Sequence, residues 1–312
     1  MSNLKGFAYG IVTSATFGLI PLFTLPLMGE GLRFDSILFY RFLFATLALV
    51  ALMRGKKESF RIDRREIPVL ILLGFFYTMS AMFLFWGYTF MSAGIATTLH
   101  FTYPVFVTLI MMIVFKEKTS WITMVAVGLA ICGVARLSIG DGEVDISLIG
   151  VVIVLLSAVG YALYIVTVNK SRVKAMTGRK LTLYVFVVST FLFLMNAMAN
   201  GGLQSISSGA SWANLILLAI VPTVISNITL IHAVQYIGST LTAVLGALEP
   251  VTAVCVGILL FSEPFTANLA LGILLILTAV TLIILSKSIQ QTLSRSVRIL
   301  RAHFLSNRPG RN

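Results

Sequence analysis

Apolar residues run along this chain in long unbroken blocks rather than in alternation. Ten blocks stand out, at about 4–25, 36–53, 67–90, 94–115, 120–137, 147–169, 181–199, 213–236, 239–261 and 266–286. Each is close to the roughly 20 residues that an α-helix needs to cross a bilayer core about 30 Å thick. Barrel strands would show about ten residues of strict alternation, and these runs are continuous and longer. The pattern predicts an all-α integral membrane protein with ten transmembrane helices. Polar residues are confined to short connections and a C-terminal segment, which leaves no room for a separate soluble domain. The first block has only Lys5 ahead of its apolar run and no clear small-x-small cleavage site, so it reads as a retained helix rather than a signal peptide.

Composition agrees with that pattern. Of 312 residues, 58% are hydrophobic and 11% are charged, where a soluble domain carries about 25% charged residues; the mean hydropathy is +0.99. No single core hides so much apolar surface from water, which excludes a soluble enzyme, a DNA-binding domain and a secreted disulfide scaffold. The two cysteines, Cys132 and Cys255, fall in apolar blocks and read as small buried hydrophobes.

The net charge of +12 would point to nucleic acid in a soluble protein; its distribution points elsewhere. Ten spans put both termini on one face. Twenty of the 23 Lys and Arg residues then lie on that face, two (Arg33 and Arg136) on the other, and Arg41 within span two. That bias sets the termini in the cytoplasm and removes the case for nucleic acid. Of the eleven acids, Glu30, Asp35, Asp141, Glu143, Asp145 and Glu263 fall on the opposite face. In the tail, Ile289, Leu293, Val297, Leu300 and Phe304 recur at helical spacing among Arg295, Arg298 and Arg301. This reads either as a basic amphipathic helix on anionic lipids or as a frayed end.

The chain also repeats. Shifted by 146, residues 99–117 meet 245–263: Leu99 with Leu245, Pro104-Val105 with Pro250-Val251, Phe115 with Phe261, and Glu117 with Glu263. Spans one and six align at a shift of 144, where Gly6, Gly10, Ser14 and Gly18 meet Gly150, Val154, Ala158 and Ala162. Such mostly small stripes suit close helix approach. Five spans per half is an odd number, so the halves enter the membrane from opposite sides. This is an inverted repeat, a recurrent transporter design built around a midplane site. The expected organisation is a first repeat at 1–140, a second at 147–286 and a basic cytoplasmic tail at 287–312.

Ten spans, the five-plus-five repeat, Tyr103-Pro104-Val105 in span four, Glu249-Pro250-Val251 in span nine and Tyr40-Arg41-Phe42 in span two resemble the drug/metabolite transporter superfamily, EamA type. The resemblance covers about residues 4–286. It implies a multi-pass protein of the bacterial inner membrane that exports a small metabolite, amino acid or drug without ATP hydrolysis. Aromatic amino acid exporters belong to that superfamily, as do the more distant sugar-phosphate and nucleotide-sugar carriers.

Several residues are candidates for the chemistry. Glu249 lies about eleven residues into span nine, near the bilayer centre, where a charge costs at least ~2.5–3.5 kcal/mol. It is expected either to face a cavity and bind a substrate amine or a coupling proton, or to anchor packing on a polar neighbour such as Asn227. Pro250 and Pro104 lack an N–H and so free the carbonyls of Gly246 and His100 one turn earlier. Arg41 is expected to snorkel to the outer interface near Asp35, with a carboxylate or phosphate clamp as the alternative. His100 is as suited to lining a pore as to packing, whereas His232, near the end of span eight, suits interfacial packing. By the architecture the resemblance implies, Trp86, Tyr77, Tyr88, Tyr103, Tyr161 and Tyr164 lie on cavity-forming spans, where phenols orient an amphipathic ligand; plain packing is the alternative for each.

The chain has no GxxxxGK[ST] loop, no HExxH, no GxSxG and no pair of intramembrane carboxylates. No catalytic residue, cofactor or metal site is therefore expected. A secondary transporter of a small amphipathic metabolite, monomeric or weakly dimeric, is the leading reading. A carrier of anionic sugar phosphates would want more than one buried cation. A membrane enzyme or scaffold finds neither a dyad nor a soluble region to support it.

Overall fold

The structure is a computed structural model. It describes the backbone of residues 2–117, 120–138 and 147–306, and the side chains over those ranges except at 2, 3, 238–241, 243, 244 and 287–306. Asp141, Glu143 and Asp145, and the side chains of the tail, lie outside the described residues. Thirteen α-helices follow in order: α1 (Ser2–Gly18), α2 (Ile20–Gly29), α3 (Phe34–Gly55), α4 (Ile67–Gly87), α5 (Ala93–His100), α6 (Tyr103–Ile113), α7 (Trp121–Ser138), α8 (Leu148–Lys170), α9 (Gly178–Ala199), α10 (Gly209–Ala219), α11 (Ser226–Leu245), α12 (Leu248–Phe261) and α13 (Ala267–Ser306). Among the described residues there is no strand.

Among the described residues eight helical stretches are long and apolar enough to cross a membrane, and two shorter apolar helices, Trp121–Leu137 and Leu248–Phe261, complete ten. The molecule is an all-helical, multi-pass membrane protein of two inverted five-helix repeats. Prolines explain where spans divide. Span one breaks at Leu19, just before Pro21, and span four breaks after His100, just before Pro104. Span eight passes through a π-helical turn, Ile220–Ile225, that contains Pro222; wide turns of this kind accommodate a helix proline. The expected separation of spans eight and nine at 236–239 is absent. No proline interrupts that stretch, so α11 runs on to Leu245 and the break comes at Gly246-Ala247.

Packing repeats between the halves. The main helix pairs are α7 with α13, α1 with α11, α4 with α8, α3 with α9, α4 with α9, α5 with α12, α1 with α12, and α6 with α8. Span by span, exchanging the two halves maps each pair onto itself or onto another that also packs, with α4 and α9 answered by α10 and α3, which is the signature of a pseudo-twofold axis. The small stripes sit at these contacts. A Cβ on Gly18 would meet the Glu249 carbonyl oxygen at 2.5 Å, and one on Gly150 would meet Phe90 Cβ at 2.5 Å. Ala158 and Ala162 are fully buried.

Polarity is distributed as a bilayer demands. Leu148, Ile131, Leu259 and Phe191 face outward, while Ser80, Thr98, Ser157, Ser189, Thr223 and Ser226 are buried. Lipid is as apolar as leucine, so small polar residues and close approach hold the helices together. Cys132 and Cys255 are free and outward-facing, a correction to their expected burial: an apolar block shows that a residue is within the membrane, not that it is inside the protein.

Candidate functional site

A cavity of about 340 Å³ lies between the two repeats. Its walls come from both halves: Thr13, Ser14, Phe17, Arg41, Tyr77, Ser80, His100 and Tyr103 from the first, and Tyr161, Tyr164, Asn227, Thr242, Gly246 and Glu249 from the second. The backbone breaks place two of these residues. His100 ends α5 and Glu249 opens α12. The Gly246 carbonyl released by Pro250 is taken by the Glu249 N–H at 3.0 Å, so the freed acceptor is spent locally in a tight turn.

The Glu249 side chain makes no hydrogen bond or ion pair among the described residues. The expected packing bond to Asn227 is absent, because the Asn227 amide donates to the Thr223 carbonyl at 2.6 Å.

Arg41 corrects a second expectation. It does not snorkel to the outer interface. It is 4% exposed and turns inward to the cavity. Its Nε–H donates to Thr223 Oγ1 at 2.9 Å, and the Thr223 hydroxyl donates to the Leu218 carbonyl at 2.9 Å. The Phe42 and Phe85 rings lie 5.4 and 5.6 Å from the guanidinium carbon. Asp35, the expected neighbour, accepts instead from Arg33 at 3.3 Å and from the Ser36 N–H at 2.6 Å. Thr223 belongs to the π-helical turn of span eight, so the second repeat orients the cation that the first contributes.

His100 is held in a serine relay. The Ser157 hydroxyl donates to the Ser80 carbonyl at 2.7 Å. A hydroxyl has one hydrogen to give, so at the 2.9 Å contact between Ser157 Oγ and His100 Nδ1 the ring nitrogen is the donor. The His100 ring then joins an aromatic wall: Tyr161 at 5.6 Å, Tyr103 edge-on to Tyr161 at 4.7 Å, Tyr164 stacked on Tyr161 at 5.8 Å, and Tyr77 edge-on to Tyr164 at 5.2 Å.

Two expected wall residues lie elsewhere. Trp86 is 38% exposed and packs against Phe34, Phe83 and Phe90 on the outside of the bundle. Tyr88 is buried, but its hydroxyl lies 3.3 Å from Thr97 Oγ1, away from the cavity. Pro104 and Pro250 shape the breaks without lining the space. The His232 ring lies tilted against Tyr9 at 5.2 Å, a packing contact. Sequence reasoning missed Thr13, Ser80, Ser157 and Thr223 and read Ser14 only as part of a small stripe; serine and threonine are common in membrane helices, so that stripe and the proline beside Thr223 were the only signals.

A model of the EamA-like transporter family matches this chain twice, over residues 4–139 and 148–285. The chain belongs to the EamA-like transporter family. Two named relatives agree with this membership. One is the uncharacterized transporter YdfC of Bacillus subtilis, 25% identical over 68% of this chain and 69% of its own length. The other is an uncharacterized transporter of Clostridium kluyveri, 24% identical over 71% and 73%. A solved crystal structure superposes with a TM-score of 0.65 at 16% identity, over 92% of this chain and 98% of its own; at that identity it speaks to the fold alone. The EamA-like fold here is thus that of a multi-pass transporter, and the cavity between its repeats is the place where a small-molecule substrate has room.

Proposed function

We propose that this protein is a secondary transporter of the bacterial inner membrane, with both termini in the cytoplasm, that exports a small amphipathic metabolite, an amino acid or a drug-like molecule, by alternating access. The observation that carries this reading is the chemistry of the inter-repeat cavity. One wall is aromatic (Tyr77, Tyr103, Tyr161, Tyr164), and the same space holds one cation, Arg41, and one acid, Glu249. Apolar rings supply area, and a few polar groups fix orientation. Arg41 would take a carboxylate; Glu249 would take an amine or a coupling proton. Among the described residues Arg41 is the sole cation lining the cavity, which favours a singly charged anionic group over a phosphate. The charge bias of the loops supports the orientation.

The test is a thermal-shift screen of purified protein against amino acids and metabolites, followed by liposome flux of each hit with and without a pH gradient. A hit should be carried, and Glu249→Gln should abolish or strongly reduce its flux. Wild-type flux by Glu249→Gln between pH 5 and 8 would remove Glu249 from binding and coupling alike. No flux of any stabilising ligand would sink the transport reading.

A further inference from the structure

The glutamates that end the repeated segment, Glu117 and Glu263, are not part of the cavity wall, yet both halves present them on the same backbone device. Lys116 has φ 52° and Ser262 has φ 55°, a left-handed conformation that is unfavourable for residues with a Cβ. In each turn the next N–H reaches back six residues: Glu117 to the Met111 carbonyl at 3.1 Å, and Glu263 to the Gly257 carbonyl at 3.0 Å. Each matching pair of positions is 146 residues apart. The repeat therefore preserves a strained turn whose product is a glutamate at the end of a span.

The two glutamates do different things. Glu263 reaches across to the other repeat, where it accepts from the Ala93 N–H at 2.9 Å and the Gly94 N–H at 3.5 Å. These are the first donors of α5, unsatisfied within their own helix and matched by a negative charge. Close packing backs the contact. A Cβ on Gly94 would meet Val254 Cγ2 at 2.9 Å, and one on Gly257 would run into the Glu263 carboxyl group. On the opposite face Glu117 pairs with Lys170 Nζ at 3.2 Å. The backbone that corresponds to Ala93-Gly94, at residues 239–240, lies inside the continuous α11.

The cavity wall departs from the repeat in both directions. It takes in Thr13, Ser14, Ile165, Val234 and Thr242. Their repeat mates Ser157, Ala158, Pro21, Tyr88 and Ala96 do not line it and are buried. Ser80 and Phe85 of α4, which lie toward the Glu263 face, line it as well, while their repeat mates Ser226 and Ile231 do not.

We propose that Glu263 is a latch that seals one face of the cavity by capping α5 across the repeat interface, and that Glu117 is its counterpart, capping the backbone at 239–240 when the opposite face is sealed. The proposal rests on alternating access. In the proposed orientation Glu263 closes the outer face.

The test uses full-length protein with Cys132→Ser and Cys255→Ser and a reporter, Ala96→Cys, on the sealed side. A membrane-impermeant maleimide is applied from each side in turn. From the Glu263 face, Glu263→Ala should raise the labelling rate roughly tenfold, the scale of losing a helix cap in a two-state equilibrium, with a smaller rise for Glu263→Gln. Gly257→Ala, which displaces the carboxyl group without removing its charge, should also raise it. It serves in place of Glu263→Ala if that variant gives no monodisperse protein. Glu117→Ala should lower labelling or leave it unchanged. Parent-rate labelling in both Glu263→Ala and Gly257→Ala, or an equal rise in Glu117→Ala, overturns the latch. The assay needs no substrate, so altered labelling with no flux of any ligand would keep the latch and discard transport.

Discussion

The Arg41–Thr223 contact makes a strong claim, that a buried cation of one repeat is aimed by a hydroxyl of the other. Replacing Thr223 with Val keeps the side-chain shape and removes the acceptor for Arg41 Nε, 2.9 Å away. A hydrogen bond to a charged group contributes about 1.5–3 kcal/mol. The lower half of that range applies here, because a cavity of about 340 Å³ holds many times the ~30 Å³ that one water occupies, and water can take over part of the bond. Thr223→Val also loses the bond to the Leu218 carbonyl, at 2.9 Å, so the single variant overstates the contact. A double-mutant cycle with Arg41→Met isolates it. Arg41→Met alone is free to stabilise, since it removes a buried charge. The expected coupling is about 1.5–2 kcal/mol, read from unfolding in mixed detergent micelles. Thr223→Ser, which keeps the hydroxyl, should recover most of it. A coupling below about 0.5 kcal/mol, or a Ser variant as damaged as Val, refutes the claim that Thr223 holds Arg41.

Gly18→Ala should destabilise by about 1–3 kcal/mol, because its Cβ meets the Glu249 carbonyl oxygen and Thr252 Cβ, each at 2.5 Å, and backbone does not step aside. Gly128→Ala, with nothing within 4 Å, should melt with or above the parent. Ser157→Ala strands the His100 Nδ1–H and should cost about 1–3 kcal/mol, seen as a lowered melting temperature that Ser157→Thr does not rescue if the fully buried site rejects the added methyl. Trp86→Leu should leave liposome flux unchanged. Tyr161→Leu, which breaks the edge-on pair with Tyr103 at 4.7 Å, should weaken ligand stabilisation by about 0.5–1.5 kcal/mol; equal effects of the two on flux would contradict the wall described here.

Helix breaks were largely legible. Pro104 and Pro250 mark the places where α5 gives way to α6 and α11 to α12, because a missing N–H acts locally. The join between spans eight and nine is not legible, because two apolar blocks meeting without a proline look like two helices although the backbone runs through. The direction of Arg41 is hidden for a related reason. Its depth is set by sequence, but snorkelling outward and turning inward differ only by helix rotation and rotamer. Trp86 and Cys132 failed in the same way: an aromatic or a small thiol on an apolar block suits lipid and protein equally.

The sequence alone determined the class of molecule, the ten spans and the repeat. Those follow from the length of apolar blocks, the charge of the loops and self-similarity at a shift of 146, and none of them depends on distant contacts. Tertiary structure decided which face of each helix meets its neighbours. In water a hydrophobic stripe would have shown that face, but in lipid every face of a spanning helix is apolar. The choice therefore falls to small residues and buried hydroxyls, to Gly18 against Glu249, Thr223 on Arg41 and Ser157 on His100, whose partners lie far along the chain and appear only when the two halves are brought together.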